Sequence, residues 1–254
     1  MSQFGQSQNI YISSKQRTST NPSNFTINFN PALRSPSQVT VVDCQIPNSW
    51  SLFDLSNNKL AFAFESDEDT VYVASLPTNR YFQSLDDLGN SIKDAMNTAT
   101  GGSQFSACTN DENTYQFSWV CSEAFQFRLP DSILGDNCYE MIGLGSYSGG
   151  GYATTITAPD TATLIRTDAV YVVSSAIPAS TTYSTFPNGQ QILAKVPVTG
   201  NTGMLLNYED KSDQNTVPLD GSVINQMTFS LVDDRGFPLD LRGRNWSIAM
   251  SFRY

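Results

Sequence analysis

The sequence predicts an all-β protein, a single jelly-roll β-sandwich with antiparallel sheets and about eight core strands. The first observation is strict alternation of large apolar residues with small or polar ones at residues 227–231 and 246–254. A period of two is typical of a strand with one buried and one exposed face. A strand as apolar as 246–254 would be sticky if left unpaired, so we expect it to lie inside a sheet.

Composition and segment spacing are the second and third observations. Aromatic residues make up 11% of the chain and charged residues only 15%, while Ser, Thr, Asn and Gln occupy most polar positions. That mixture favours sandwiches, whose strands carry Thr and aromatics and whose turns carry Asn, Ser and Gly. Short alternating segments separated by turns add up to about ten strands, enough for a jelly roll with an extra hairpin.

The N-terminal part of the chain contributes the first strands. Residues 1–9 are rich in Gln, Ser and Asn, and we interpret them as a flexible arm. Strands are predicted at 10–12 and 25–29, with a turn bracketed by Pro31 and Pro36. The apolar run 39–46 predicts a central strand buried on both faces.

A helix-containing insertion is predicted around residues 81–145, after strands at 60–64 and 71–73 that flank an acidic turn at 66–69. Ser84 is an N-cap candidate with Asp87 three residues later, and Gly101-Gly102 ends the helix. Helical spacing relates four apolar residues: Leu85, Leu88, Ile92 and Met96.

The rest of the insertion is predicted to contain strands at 105–108, 115–121 and 125–129. A helical turn is expected over 131–144, where apolar residues would plug the core: Ile133, Leu134, Met141, Ile142 and Leu144.

Two polar stretches, 145–165 and 175–191, are predicted to be surface loops. Gly149-Gly150-Gly151 lacks the GxxxxGK[ST] pattern of a phosphate loop. Strands are expected at 169–174 and 192–198, with a short edge strand at 205–208. Because no repeat or linker is visible, we expect one domain spanning residues 1–254.

The net charge is −10, and it is unevenly distributed. Residues 1–42 carry +3, whereas residues 65–140 carry −10. So acidic a surface repels phosphate, and we expect no direct binding of nucleic acid. The acidic stretch is either a solvated face or a docking surface.

The chain contains no histidine, which excludes Ser-His-Asp and Cys-His catalysis and His-containing metal sites. Its four cysteines form no CxxC pair: Cys44, Cys108, Cys121 and Cys138. The opening residues lack the apolar run of a secretory signal, so we expect reduced thiols. No apolar run is long enough to predict membrane insertion.

The sequence offers candidates for three kinds of site, and none of the three is predicted. The acidic clusters 67–69, 209–210 and 233–234 offer oxygen ligands for Ca²⁺ but lack EF-hand spacing, so turn chemistry is the simpler interpretation. A carboxylate pair of the glycosidase kind has no marked candidate. Three tryptophans are candidates for a sugar site, but core packing is favoured: Trp50, Trp119 and Trp246. We therefore predict no catalytic, cofactor-binding or metal-binding residue, no cofactor and no enzymatic activity.

The order of these segments resembles the vertex (penton) capsid proteins of virophages and large eukaryotic DNA viruses, and related single-jelly-roll minor capsid proteins. The segments that carry the resemblance are 12–17, 21–25 with Ile27, 39–50, 81–97, 142–145, 192–198 and 227–252. Segment 142–145 lacks the final aromatic residue that the family usually has there.

This resemblance implies a structural virion protein that forms homopentamers at the icosahedral five-fold vertices, without catalysis. It implies self-association, contact with the major capsid protein and minor capsid proteins, and location in the virion. Assembly in the host cytoplasm or a virus factory, and a vertex spike or receptor as a further partner, are part of the same expectation. The alternatives are a jelly-roll binding module for a receptor or carbohydrate through loops 145–165 and 175–191, or another minor capsid or cement protein.

Overall fold

The structure, a computed structural model, describes residues 6–17, 19–55, 57–128, 137–177, 191–200, 202–210 and 216–254. Its contacts divide the chain into two compact units. The first unit combines Met1–Trp50 with Thr167–Tyr254, and the second unit is Ser51–Arg166. The first unit is therefore built from both ends of the chain, and the second from its middle.

The described residues form fourteen strands and one α-helix. In chain order they are β1 (Ser7–Ser13), β2 (Asn24–Leu33), β3 (Gln38–Pro47), β4 (Lys59–Phe64), β5 (Asp67–Ser75), α1 (Leu85–Thr100), β6 (Phe105–Asn110), β7 (Phe117–Phe127), β8 (Ala153–Thr157), β9 (Ala169–Ser174), β10 (Ile192–Pro197), β11 (Leu205–Glu209), β12 (Thr216–Pro218), β13 (Ile224–Val232) and β14 (Ser247–Arg253). A short 3-10 turn, Ser14–Gln16, follows β1.

Two antiparallel sheets make up the first unit. The first sheet has the order β1-β14-β3-β11, with β12 also paired to β3, and the second sheet has the order β10-β9-β13-β2. Because β11 and β12 occupy one edge position beside different parts of β3, each sheet has four strand positions. The chain crosses from one sheet to the other after β1, β2, β10, β12 and β13. Eight positions in two antiparallel sheets connected in this way are the jelly-roll arrangement that the sequence predicts.

The C-terminal strand lies inside the first sheet, as predicted. β14 pairs with β1 on one side and with β3 on the other, and Ile248, Met250 and Phe252 are buried. Trp246, just before β14, packs against Phe25 with ring centroids 5.7 Å apart. Its indole N–H donates to the Pro22 carbonyl at 2.7 Å. Burial of this apolar face is what holds the end of the chain in place.

The second unit has its own sheet and its own core. Its strands pair in the order β5-β4-β7-β6, with β8 also paired to β7, and α1 packs on β5 and β6. Aromatic rings dominate the interior, among them Phe62, Phe105 and Phe125. The centroids of Phe105 and Phe125 lie 4.9 Å apart in an edge-to-face contact.

The helix begins and ends as its sequence predicts. The Ser84 hydroxyl accepts a hydrogen bond from the Asp87 N–H at 3.1 Å, which satisfies one of the N–H groups left open at a helix start. Gly101 ends the helix with φ of +69°, a left-handed conformation that suits glycine. Leu88, Ile92 and Met96 are buried, so the helical spacing of apolar residues correctly indicates the packed face.

The helix-containing insertion is larger than the predicted range 81–145, since the compact unit spans Ser51–Arg166. β4 pairs with both β5 and β7, which joins residues before the helix to residues after it in one sheet. Local patterns do not show which strands pair. The predicted insertion therefore leaves out the strands at 60–64 and 71–73.

Several local predictions were wrong because a neighbouring strand supplies hydrogen-bond partners. The segments predicted as separate strands at 115–121 and 125–129 form one strand, β7, which pairs with β6 in its first half and with β4 in its second. The predicted loop 145–165 contains β8, which pairs with β7. The acidic residues 67–69 lie in β5 and not in a turn.

Near the N-terminus, two predictions also need correction. Residues 7–9 of the predicted flexible arm belong to β1, where they pair with residues 251–253. Pro31 lies within β2 and not at a turn, which is tolerated because β2 is an edge strand that pairs only with β13.

The predicted helical turn at 131–144 is described from residue 137 onward, where it consists of turns. Met141, Ile142 and Leu144 are buried in the core of the second unit, as predicted. Ile133 and Leu134 lie outside the described residues. The same holds for most of the predicted loop 175–191, of which 178–190 are not described.

Candidate interaction surfaces

The acidic clusters serve as structural or exposed residues. Asp67, Glu68 and Asp69 are exposed on the edge strand β5, and Glu209 ends β11. No group of three or more His, Cys, Asp or Glu among the described residues could hold a metal ion. That no metal site exists remains a prediction for the chain as a whole.

Asp233 illustrates the turn chemistry expected for these clusters. Its carboxylate is fully buried and accepts hydrogen bonds from the backbone N–H groups of Arg235 at 3.0 Å and Phe237 at 2.8 Å. The Arg235 guanidinium lies 3.4 Å from the other carboxylate oxygen. Asp233 therefore fixes the turn that follows β13.

All four cysteines are buried and free of disulfide bonds. Burial raises the pKa of each thiol, and that of Cys138 reaches about 12. A protonated thiol is a poor nucleophile and a poor metal ligand. The cysteines consequently act as apolar core residues at neutral pH.

The three tryptophans are core residues, as favoured by the sequence. Trp50, Trp119 and Trp246 are at most 4% exposed. None of them is available to stack on a sugar at the surface.

A shallow cavity of about 480 Å³ opens in the first unit, beside the ends of the predicted loop 175–191. Its polar lining residues are Ser175, Gln191, Asp220, Ser222, Asn225 and Gln226, and the apolar ones are Ala176, Ile177, Val223 and Ile224. Hydrogen bonds from the hydroxyl and the backbone N–H of Ser222 hold the pKa of Asp220 below its usual value. The cavity thus presents one carboxylate among amides and hydroxyls, groups that can hydrogen-bond a small polar ligand. The predicted loop supplies only residues 175–177 and 191 of this lining. No sequence pattern marks the residues of 220–226, because they reach the cavity only through the fold.

The net charge belongs to one unit only. The sequence of the first unit contains nine basic and nine acidic residues, whereas that of the second contains five basic and fifteen acidic residues. The jelly-roll unit is therefore neutral, and the middle of the chain carries the whole net charge of −10.

Free strand edges are another kind of candidate interaction surface, because their backbone N–H and C=O groups can pair with an added strand. Eight strands of the described chain pair on one side only: β1, β2, β5, β6, β8, β10, β11 and β12. In the described residues, six of these eight contain a proline or an irregular register, features that disfavour strand addition.

The two exceptions are β1 and β11, which are the opposite edges of the first sheet. Both have an unbroken register with their single partner strand and contain no proline. Each also exposes a large apolar side chain, Tyr11 on β1 at 77% and Leu205 on β11 at 49%. No sequence pattern marks these edges, since edge position depends on the order of strands in the sheet.

No helix of the described part of the chain is both long and apolar enough to span a membrane.

Comparison with known proteins shows the fold. The chain is similar to the crystal structure of the mavirus penton protein, with a TM-score of 0.54, 12% sequence identity and coverage of 98% of this chain and 100% of that chain. The Sputnik virophage structure determined by cryo-EM also matches, with a TM-score of 0.41, 12% identity and coverage of 98% and 97%. No protein-family model and no curated protein matches the sequence.

Proposed function

We propose that this protein is a structural subunit of a viral capsid, a penton whose homopentamer closes the icosahedral five-fold vertices. The observation that carries the proposal is the fold shared with the mavirus penton protein over nearly the whole length of both chains. The jelly-roll unit within it, with four strand positions in each sheet, is a common architecture of capsid subunits.

The proposal includes self-association, contacts with major and minor capsid proteins, location in the virion and assembly in the host cytoplasm or a virus factory. It includes no catalytic role, and a spike or receptor is a further candidate partner at the vertex. The charge distribution supports contact with proteins over direct contact with nucleic acid, because the first unit is neutral and the second strongly acidic.

Light scattering combined with negative-stain imaging of the purified protein tests the proposal. We expect particles with the mass of five chains that appear as five-fold rings. A protein that stays monomeric at every concentration, also in the presence of salt and divalent cations, would argue against a penton.

The second candidate function is attachment to a carbohydrate, and the cavity beside Asp220 and Gln226 is the observation that favours it. Titration with simple sugars, followed by NMR, would show binding that is lost in Asn225→Ala. A vertex subunit with such a site would combine both functions.

A further inference from the structure

We propose that β1 of one copy pairs with β11 of the next copy, so that the first sheet continues from subunit to subunit around the ring. This inference rests on the proposed self-assembly and names the surface that performs it. The occupant of each free edge is a second copy of this chain.

The backbone of β1 points half of its hydrogen-bonding groups toward the free edge. The Tyr254 N–H donates to the Gln6 carbonyl at 3.1 Å, and the Ser14 N–H donates to the Trp246 carbonyl at 2.9 Å. Antiparallel pairing alternates, so even-numbered residues of β1 bond to β14 and odd-numbered residues turn their N–H and C=O groups outward. Asn9 and Tyr11 lie at the middle of this outward-facing set.

β11 presents a matching edge. The Asn48 N–H donates to the Met204 carbonyl at 2.8 Å, and the Asp210 N–H donates to the Val42 carbonyl at 3.0 Å. Even-numbered residues of β11 therefore bond to β3. The backbone groups of Leu205 and Asn207 face away from β3.

Strand direction permits the two edges to join. All neighbours in the first sheet are antiparallel along the order β1-β14-β3-β11, so β1 and β11 run in opposite directions. A second copy that extends the same sheet therefore places its β1 antiparallel to β11 of the first copy. Pairing β1 with another β1 would instead give a two-fold contact that stops at a dimer.

One register satisfies backbone and side chains together. Pairing Asn9 with Asn207 also pairs Tyr11 with Leu205, so each pair joins two outward-facing backbones and exchanges two N–H···O bonds. Ile12 and Leu206 are buried in the core, so the odd-numbered side chains of both strands lie on the outer face of the sheet. Exposed Tyr11 and exposed Leu205 would then cover each other as a cross-strand pair.

A second copy suits these edges better than a foreign strand for two reasons. The first unit contains equal numbers of basic and acidic residues, so adjoining copies of that unit carry no net charge that would repel. The contact also joins two different edges of one sheet, which makes it head-to-tail, the type of interface that closes into a ring.

Asn9→Pro and Asn207→Pro test the proposal, because each removes one outward N–H and leaves the bonds to β14 or β3 in place. Asn9→Ala and Asn207→Ala keep the N–H and are the matched controls. By sedimentation velocity, we expect the wild type and both alanine variants to form pentamers. We expect each proline variant to assemble roughly tenfold more weakly or not at all.

Mixing the two proline variants is the decisive step. The Asn9→Pro chain keeps an intact β11, and the Asn207→Pro chain keeps an intact β1. These two edges can pair with each other, whereas the remaining edge of each chain carries a proline, so the mixture should stop at dimers. Circular dichroism checks that each variant folds. If a proline variant does not fold, Tyr11→Ala and Leu205→Ala take its place, because both positions are exposed. Each substitution by itself should weaken assembly, and the double variant should assemble no more weakly than either single variant.

Pentamers that persist in both proline variants, or a mixture that stays monomeric or forms full rings, would overturn the pairing and leave the penton function standing. The same holds if only one of the two proline substitutions weakens assembly. A wild type that stays monomeric would overturn the pairing and the proposed function together.

Discussion

Cys138 and Tyr139 are adjacent residues with ionisable side chains, and burial keeps the thiol and the phenol protonated. The Cys138 thiol donates to the Lys59 carbonyl at 3.3 Å, and the Tyr139 hydroxyl donates to the Arg128 carbonyl at 2.5 Å. Burial raises the pKa of the Cys138 thiol from 9.0 to about 12, and that of Tyr139 from 10.0 to about 12. The folded state therefore disfavours the ionised forms of both side chains more than the unfolded state does.

The free energy of unfolding should therefore fall in alkaline solution. The stabilisation is complete below pH 9, the ordinary pKa of a thiol, and is lost as the pH rises toward about 12. Across this window the unfolded chain has released protons that the folded chain keeps, and each such thiol contributes a slope of up to about 1.4 kcal/mol per pH unit. Urea unfolding at ~pH 8 and ~pH 10.5 measures it. Cys138→Ala should show a shallower decline than the wild type, and an equal decline would contradict the assignment.

At the scale of elements, α1 approaches β6 closely enough to require a glycine. A Cβ atom added to Gly89 would lie 2.5 Å from the Cys108 carbonyl oxygen and 3.1 Å from the Phe117 ring. The backbone of β6 cannot move aside as a flexible side chain would. This contact explains a glycine in the middle of a helix, where it is otherwise unfavourable.

Gly89→Ala should consequently destabilise the protein, although the same change in an exposed helix stabilises by about 1 kcal/mol. Overpacking of this kind costs about 1–3 kcal/mol. The matched control is Asn90→Ala, an exposed neighbour on α1, which should stabilise by ~0.5 kcal/mol. Urea denaturation measures both, and a Gly89→Ala variant as stable as Asn90→Ala would refute the close approach.

Element boundaries also show how far local patterns reach. The period-two alternation in 227–231 and 246–254 correctly predicted strands, and the capping residues around α1 correctly predicted its ends, because those signals are local. In contrast, β7 is one strand where the patterns predict two, and β5 and β8 include residues for which a turn and a loop are predicted. Their strand character comes from pairing with β4 and β7, which the sequence does not reveal.

For the molecule as a whole, the charge of the second unit would oppose the proposed assembly. A ring of five chains, each with a net charge of −10, would carry −50. The Debye length shrinks from about 30 Å at 0.01 M to about 8 Å at 0.15 M salt, so added salt should screen this repulsion. We therefore expect assembly to strengthen with salt or divalent cations, as measured by sedimentation.

The exposed acids of β5 can be replaced together by amides in a triple variant, Asp67→Asn, Glu68→Gln and Asp69→Asn. This variant should assemble more strongly than the wild type at low salt, and its assembly should depend less on salt. These side chains are exposed, so the fold should tolerate the change. Assembly that weakens with salt would instead indicate that attractive ion pairs between copies outweigh the repulsion.

The candidate surfaces were less predictable than the fold. The ends of the predicted surface loop 175–191 supply Ser175, Ala176, Ile177 and Gln191 to the cavity lining, and a binding role for this loop remains a prediction. The other wall comes from residues 220–226, and the edges β1 and β11 are remote from each other in sequence. Organisation of residues 1–254 as one domain remains a prediction, while the contacts form two compact units.

Local residue patterns are enough to establish an antiparallel β protein with one capped helix, since alternation and capping depend on residues only a few positions apart. The order of the strands, the bounds of the inserted unit and the open edges follow only from the folded chain. Those outcomes depend on hydrogen bonds and buried contacts between residues far apart in the chain, such as Tyr11 with Ala249, whose pairing no local pattern encodes.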